Sequence, residues 1–277
     1  MPELSVIMTT YNEDVSFLQS CVNSICNQTW KDFECIIVLE PEEANLRFLE
    51  EVAVTDKRIR IVQNDKKLGV ADSRNRAIMK SSSEFIAVMD GDDYYDPMRL
   101  EKQLQFLRNN SCISVVGSNM YLIDQFNNIV GERKYPEFHD DIKKNFLLTM
   151  SIANPSAMIR RKDLQEIGLF NTELSKAEDF ELWLRFLSVD KKLHNLQENL
   201  VYYRIQNSQN EKRGAIHWRN NYRARKRYSR FIWTFHERCL SLLLFFVMSH
   251  TPQIFLDHLL NLNLAKWIKN IKMRDVV

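Results

Sequence analysis

Disulfides are the first thing this sequence does not provide for. Its five cysteines, Cys21, Cys26, Cys35, Cys112 and Cys239, are odd in number and include no CxxC pair. That argues against a disulfide framework and a structural zinc site, and it fits a reducing compartment. The opening residues, MPELSVIM, lack a basic stretch followed by a long apolar one, so no signal peptide is expected. The longest apolar run near the C-terminus, CLSLLLFFVM, is shorter than the roughly 20 residues needed to span a bilayer. No internal repeat and no low-complexity linker is present. These absences place the chain, as an expectation, in the cytoplasm.

Charge of one sign is scarce at one end. Residues 212–277 hold 13 Lys/Arg and only 3 Asp/Glu, a net +10, whereas residues 1–211 hold 25 basic and 33 acidic residues, a net −8. The overall +2 therefore hides an acidic body with a basic tail. The composition, 45% hydrophobic and 27% charged over 277 residues, suits one sizeable globular domain or a domain plus an appendage.

Short Val- and Ile-rich runs recur at 4–10, 33–40, 58–63, 84–90 and 112–123, nearly free of charge, as expected of strands buried on both faces. Helical patterns lie between them. Val15, Leu18, Val22 and Ile25 follow a possible cap at Asn12, and in DPMRLEKQLQFLRNN Asp96 can cap while Pro97 takes the first turn. Alternating strands and helices predict an α/β fold with a mostly parallel central sheet. After about residue 125 the pattern changes. DQFNNIVGERKYP reads as a hairpin or loop, HDDIKKNFLLTM as a helix, NPSAMIRRKDLQEIG as a short strand and a helix, and KAEDFELWLRFLSVD as an amphipathic helix. The one clear boundary falls near NSQNEKRG, at about 207–212.

The stretch AVMDGDDYYDP places Asp90, Asp92 and Asp93 directly after the fourth strand. Ligands of α/β sheets bind beyond the carboxyl ends of the strands, and clustered carboxylates there suit a hard divalent cation. A solvated acidic turn entering the next helix reads equally well from these residues alone. An EF-hand fits worse because of the position of Gly91, and an aspartyl-phosphate enzyme because the first strand offers no Asp. That strand ends in TTYNE, whose hydroxyls, Tyr and Asn can hold a base and ribose. Lys67, Arg74 and Arg76 in NDKKLGVADSRNRAI can offer charge to phosphates.

Taken in order, SVIMTTYNE, NQTWKDFECIIV, LGVADSRNRAI…SSSEFIAVMDGDDYYDPMRL and AEDFELWLR resemble the inverting family 2 glycosyltransferases with the GT-A fold, over residues 3–207. The resemblance implies a domain at 1–211, with a nucleotide-sugar-binding half (1–124) and an acceptor-binding half (125–211). It implies Asp92 as the ligand of a divalent metal, manganese or magnesium, with Asp90 near the ribose or a metal-bound water and Asp93 sharing either role. It places Thr9, Tyr11 and Glu40 at the base and Arg74 near the base or diphosphate. The family's turn after the second strand is Asp-rich, whereas this chain reads VLEPEEAN. Asp179, of the pair Glu178-Asp179, corresponds to the general base that takes the acceptor's proton. Trp183 and Phe180 read as core. Some relatives carry a further His ligand near 204–208; VYYRIQNSQN has none, and Arg204 is expected to contact the diphosphate instead.

The tail adds KRGAIHWRNNYRARKRYSRFIW (212–233), with eight Lys/Arg and no acid, then an apolar stretch broken at Thr251-Pro252. Basic and aromatic residues followed by an apolar helix suit an anionic membrane surface. Packing on the core or on another subunit is the alternative, and a nucleic-acid partner is not expected. The combined expectation is a metal-dependent, inverting hexosyl- or N-acetylhexosaminyltransferase, peripheral on the inner face of the cell membrane. Its donor is a nucleotide-sugar, UDP-linked, and its acceptor a glycan such as a lipid-linked saccharide of a surface polysaccharide. The rivals are a nucleotidyltransferase, whose Gly-rich basic loop TTYNEDVSF lacks, and a non-catalytic sugar-nucleotide-binding protein.

Overall fold

The computed structural model describes residues 2–41, 44–205 and 215–251. The boundary expected near 207–212 and the stretch from 252 onward lie outside them.

Strands β1 (Leu4–Thr10), β2 (Phe33–Leu39), β3 (Ile59–Gln63) and β4 (Phe85–Asp90) pair in parallel in the order β3-β2-β1-β4. Their side chains alternate between two cores. Ile7, Ile36, Val38, Ile86 and Val88 face one side, while Val6, Met8, Ile37, Ala87 and Met89 face the other. Burial on both faces is why the middles of β1, β2 and β4 are almost wholly Val, Ile, Met, Ala and Cys. Helices α1 (Val15–Cys26), α2 (Leu46–Thr55) and α3 (Val70–Lys80) connect them. The cap of α1 is Asp14, whose Oδ1 accepts the Ser16 N–H at 2.8 Å. Asn12 instead adopts φ 53° and accepts the Ala44 N–H, tying the first loop to the one after β2.

Beyond β4 the sheet turns mixed. After β5 (Tyr94–Tyr95) comes α4 (Arg99–Asn109), two residues later than Pro97 suggests; Asp96 Oδ1 takes the Met98 N–H and its carbonyl takes that of Arg99. Strand β6 (Ile113–Ile123) forms a hairpin with β7 (Ile129–Arg133), closed by Asn127 at φ 68°. Helix α5 (His139–Asn145), β8 (Met158–Arg160), α6 (Arg161–Ile167), α7 (Glu178–Ser188) and β9 (Lys192–Arg204) follow. Strand β8 lies antiparallel between β4 and β6, β9 runs parallel to β6, and β5 pairs with β9. The parallel half thus carries the first three helices, and the second half brings α7 over the same sheet. Trp183 and Phe180 of α7 are core, as expected.

Two further helices, α8 (Ala215–Ile232) and α9 (Phe235–His250), complete the described chain. The inner face of α8 is committed to packing rather than to solvent. Trp218, Ala224, Ile232 and the following Trp233 are buried. Arg225 is wholly buried, with its guanidinium 3.6 Å from the Phe245 ring centre and 4.6 Å from that of Phe180. It donates to the carbonyls of Phe146 and Leu147 and to Ser241 Oγ. With no carboxylate beside it, burial pushes its pKa down to about 9. Among the described residues no helix is long and apolar enough to cross a membrane.

Candidate functional site

The site is assembled at the carboxyl ends of β1 and β4, where Thr9 and Asp90 are register partners. The Asp90 backbone is fixed by Tyr95, whose hydroxyl accepts the Asp90 N–H at 2.7 Å and donates to its carbonyl at 3.1 Å. The chain then turns through Gly91, where a Cβ would come within 3.3 Å of the Thr10 side chain. Asp93 points inward and is fully buried, and its Oδ1 accepts the Arg204 N–H at 2.9 Å. Burial, with Asp92 and Asp90 close by, pushes the Asp93 carboxyl well above the usual carboxylate range. The Asp92 side chain is only partly buried.

Arg204, expected at a diphosphate, lies beneath this turn. Its guanidinium donates to the Asp92 and Asp124 carbonyls and to Asn127 Oδ1, at 2.9, 2.8 and 2.7 Å, and covers the Phe17 ring. The residue is 1% exposed. Three of its donors hold the acidic turn and the β6–β7 hairpin together.

Arg74, from α3, joins the acidic turn to α7. One guanidinium nitrogen donates to Asp90 Oδ1 and another to Glu178 Oε1, each at 2.8 Å. The side chain is buried, and the Phe170 ring lies 5.5 Å from its guanidinium carbon. Two carboxylates and nearby Asp179 outweigh the cost of burial and raise its already high pKa. Asn75 steadies the neighbouring loop by exchanging two hydrogen bonds with the Phe170 backbone, at 2.8 and 2.9 Å.

Asp179 sits in the first turn of α7, after Ala177 in the left-handed region at φ 63°. Its Oδ1 accepts the Phe180 N–H at 2.7 Å. The residue keeps some accessible surface, but its carboxyl is surrounded by protein atoms. Burial first, and then Glu178, push it up to about 7, against the opposing pull of Arg74. A carboxyl poised there can accept a proton near neutrality.

Glu40 is the residue whose surroundings differ most from the expectation. It is buried, and its carboxylate accepts the N–H groups of Leu68 and Gly69 and the Ser73 hydroxyl, at 2.9, 2.8 and 3.0 Å. Those bonds outweigh burial and hold its pKa below the usual carboxylate range. Glu40 therefore anchors the start of α3, where Gly69 adopts φ 91°. Tyr11 is 43% exposed, and the Lys67 ammonium lies 4.2 Å from its ring centre.

The structure thus gathers Thr9, Arg74, Asp90, Asp92, Asp93 and Asp179 at one end of the sheet, and commits Glu40 and Arg204 to its frame. No sequence pattern marks Tyr95, Asn75 or Phe170 as parts of this network, because each meets its partner only through the tertiary fold. The adjacent Tyr94-Tyr95 pair was the nearest signal. Helix α8 also reaches the site's edge. Asn220 donates to the Lys176 carbonyl at 2.9 Å, and the Tyr228 hydroxyl to Glu181 Oε1 at 2.7 Å, on either side of Asp179.

Among the described residues no three His, Cys, Asp or Glu side chains converge into a metal cage. The donors at hand are all oxygen, and the buried Asp93 Oδ2 has no hydrogen-bond partner. Such a set fits a small hard cation that takes one or two carboxylates and completes its shell with water and phosphate oxygens.

A family model described as Glycosyl transferase family 2 matches residues 5–168. An uncharacterized glycosyltransferase of Methanocaldococcus jannaschii is 37% identical over 212 residues, covering 76% of this chain and 73% of that protein. The O-antigen biosynthesis glycosyltransferase WbnJ of Escherichia coli is 31% identical over 78% of this chain and 84% of its own length. The crystal structure of S. aureus TarS 1–349 in complex with UDP-GlcNAc matches with a TM-score of 0.70 and 18% identity, covering 90% of this chain and 73% of that one. That likeness shows the shared GT-A fold. The ordered motifs between residues 3 and 207 therefore mark what they resembled: the chain is a glycosyltransferase and belongs to glycosyl transferase family 2.

Proposed function

We propose that this enzyme transfers a sugar from a UDP-linked donor to a hydroxyl of a glycan acceptor, with inversion at the anomeric carbon. We take the acceptor to be a lipid-linked saccharide of a surface polysaccharide, used at the inner face of the cell membrane. The observation that carries this reading is the Arg74 bridge, which sets the acidic turn of β4 beside Asp179. The donor in the TarS complex and the O-antigen pathway of WbnJ support the choice of substrates.

In this reading Thr9 and Tyr11 hold the nucleoside, with Lys67 and Arg74 facing the diphosphate. Asp179 takes the acceptor's proton as its oxygen bonds to the anomeric carbon. The bond from that carbon to the diphosphate oxygen breaks on the opposite face, and the nucleoside diphosphate departs with the electron pair. One displacement inverts the configuration. Asp92 would hold a divalent cation, manganese or magnesium, which offsets the charge gathering on the leaving diphosphate. Asp90 faces the ribose side of that group, while Asp93, Glu40 and Arg204 keep the frame in place.

The test is incubation with UDP-sugars, manganese and a glycan acceptor, followed by NMR of the product's anomeric centre. An inverted linkage is the expected result. A retained configuration would overturn the single displacement, and consumption of a nucleoside triphosphate with a sugar phosphate in place of a UDP-sugar would restore the nucleotidyltransferase reading.

A further inference from the structure

Helix α9 buries one large apolar side chain, Phe245, and leaves most of its others outside. Ser241 and Ser249 are buried, whereas Leu240, Leu243, Leu244, Phe246 and Val247 are exposed, Leu243 by 65%. A surface helix of a water-soluble protein ordinarily presents the reverse. Spacings of three and four residues put these five side chains on a continuous outer face.

The neighbouring surface is cationic. Arg219, Arg223, Lys226 and Arg230 are exposed on α8 at intervals of four, three and four residues, which is one stripe of a helix. Tyr222 lies within that stripe. Its ring meets Phe246 of α9 edge-on at 5.6 Å. The cationic stripe and the apolar face therefore border each other along the seam between the helices.

We propose that this seam is a docking surface for an anionic lipid bilayer, on which α9 lies in the interface with its leucines among the acyl chains while the α8 cations meet the headgroups. Charge decides among occupants. An isologous pairing of two copies would set one cationic stripe against another. The acid nearest the seam on these helices, Glu237, is spent on the Thr234 backbone and hydroxyl. A helix with cations beside an exposed apolar face suits the boundary of an anionic leaflet. At 16 residues α9 is too short to cross it. The inference deepens the membrane-side reading of the acceptor given above.

The full-length protein is floated with vesicles of phosphatidylglycerol and phosphatidylcholine, or of phosphatidylcholine alone, without donor or acceptor. Tighter binding to the anionic vesicles, by about tenfold or more, is expected, with a marked loss at high salt. Leu243→Glu with Val247→Glu, and separately Arg223→Glu with Lys226→Glu, should each abolish that preference while circular dichroism and melting temperature stay unchanged. Equal binding to neutral and anionic vesicles would overturn the proposal, as would undiminished binding by both variants. Conversion of a dimer to a monomer by Leu243→Glu with Val247→Glu, with vesicle binding intact, would assign the face to a second copy instead. UDP-sugar hydrolysis in vesicle-free solution reads the catalytic proposal alone, so failure of one is separable from failure of the other.

Discussion

Arg74 donates to Glu178 at 2.8 Å across 104 positions of sequence. The same guanidinium holds Asp90, so the end of β4 and the start of α7 keep one spacing through a single buried cation.

Replacing Arg74 by Met should be costly twice over. It leaves Glu178 buried and Asp90 part-buried without their cation, a loss of about 3 kcal/mol or more in urea unfolding. Transfer should vanish together with donor binding. Arg74→Lys should recover most of the stability and little of the activity, because one ammonium cannot reproduce the two-armed bridge.

Asp179→Asn should bind donor as the parent does and lose about 10²- to 10⁴-fold in kcat. In the parent, the acid limb of kcat/KM should fall near pH 7, because only the ionised carboxylate accepts a proton and its value is pushed up to about 7. An acid limb near pH 4, or undiminished turnover in the variant, would remove Asp179 as the base.

The same residue predicts a stability profile. Its carboxyl titrates near 3.8 in an unfolded chain and near 7 in the folded one. Between those values the folded chain holds a proton that the unfolded chain has released, so its contribution to stability is full below the lower value and is lost as pH rises through the upper. Asp179→Asn should therefore raise the melting temperature relative to the parent more at pH 8 than at pH 5.

Glu40→Ala should act at a distance from the chemistry. It strands the Leu68 and Gly69 N–H groups and the Ser73 hydroxyl, at about 2 kcal/mol. Donor KM should rise with a smaller change in kcat, because the loop carrying Lys67 loses its anchor. Were Glu40 instead the reader of the base, Glu40→Ala would alter preference among nucleotides without lowering the melting temperature.

Excess chelator, or Asp92→Asn, should reduce transfer by several orders of magnitude. Manganese should restore the chelated enzyme and leave the variant inactive. Full activity in chelator would reject the cation.

The elements were legible where a pattern repeats within a few residues. The strands 4–10, 33–40 and 84–90 announce themselves because burial on both faces leaves little place for charge in their middles. The acidic turn and the Glu178-Asp179 pair are visible as local clusters. Caps were less legible: Asn12 and Asp14 are both good capping residues, and the choice fell to Asp14 because Asn12 was needed against Ala44. Arg204 and Glu40 illustrate the larger gap. Each is a charged residue at a strand end, where ligand binding is the natural reading, and each is hydrogen-bonded to residues 28 to 112 positions away in the chain.

By itself the sequence determined the α/β order, the acidic turn, the basic tail and the family, because hydrophobic periodicity and short motifs are local properties of a chain. Tertiary structure decided which charges face a substrate and which hold the frame. It also turned α8 inward through Arg225 and α9 outward through its leucines. A buried charge is stable only beside partners that satisfy it, and those partners arrive from elements far apart in the chain.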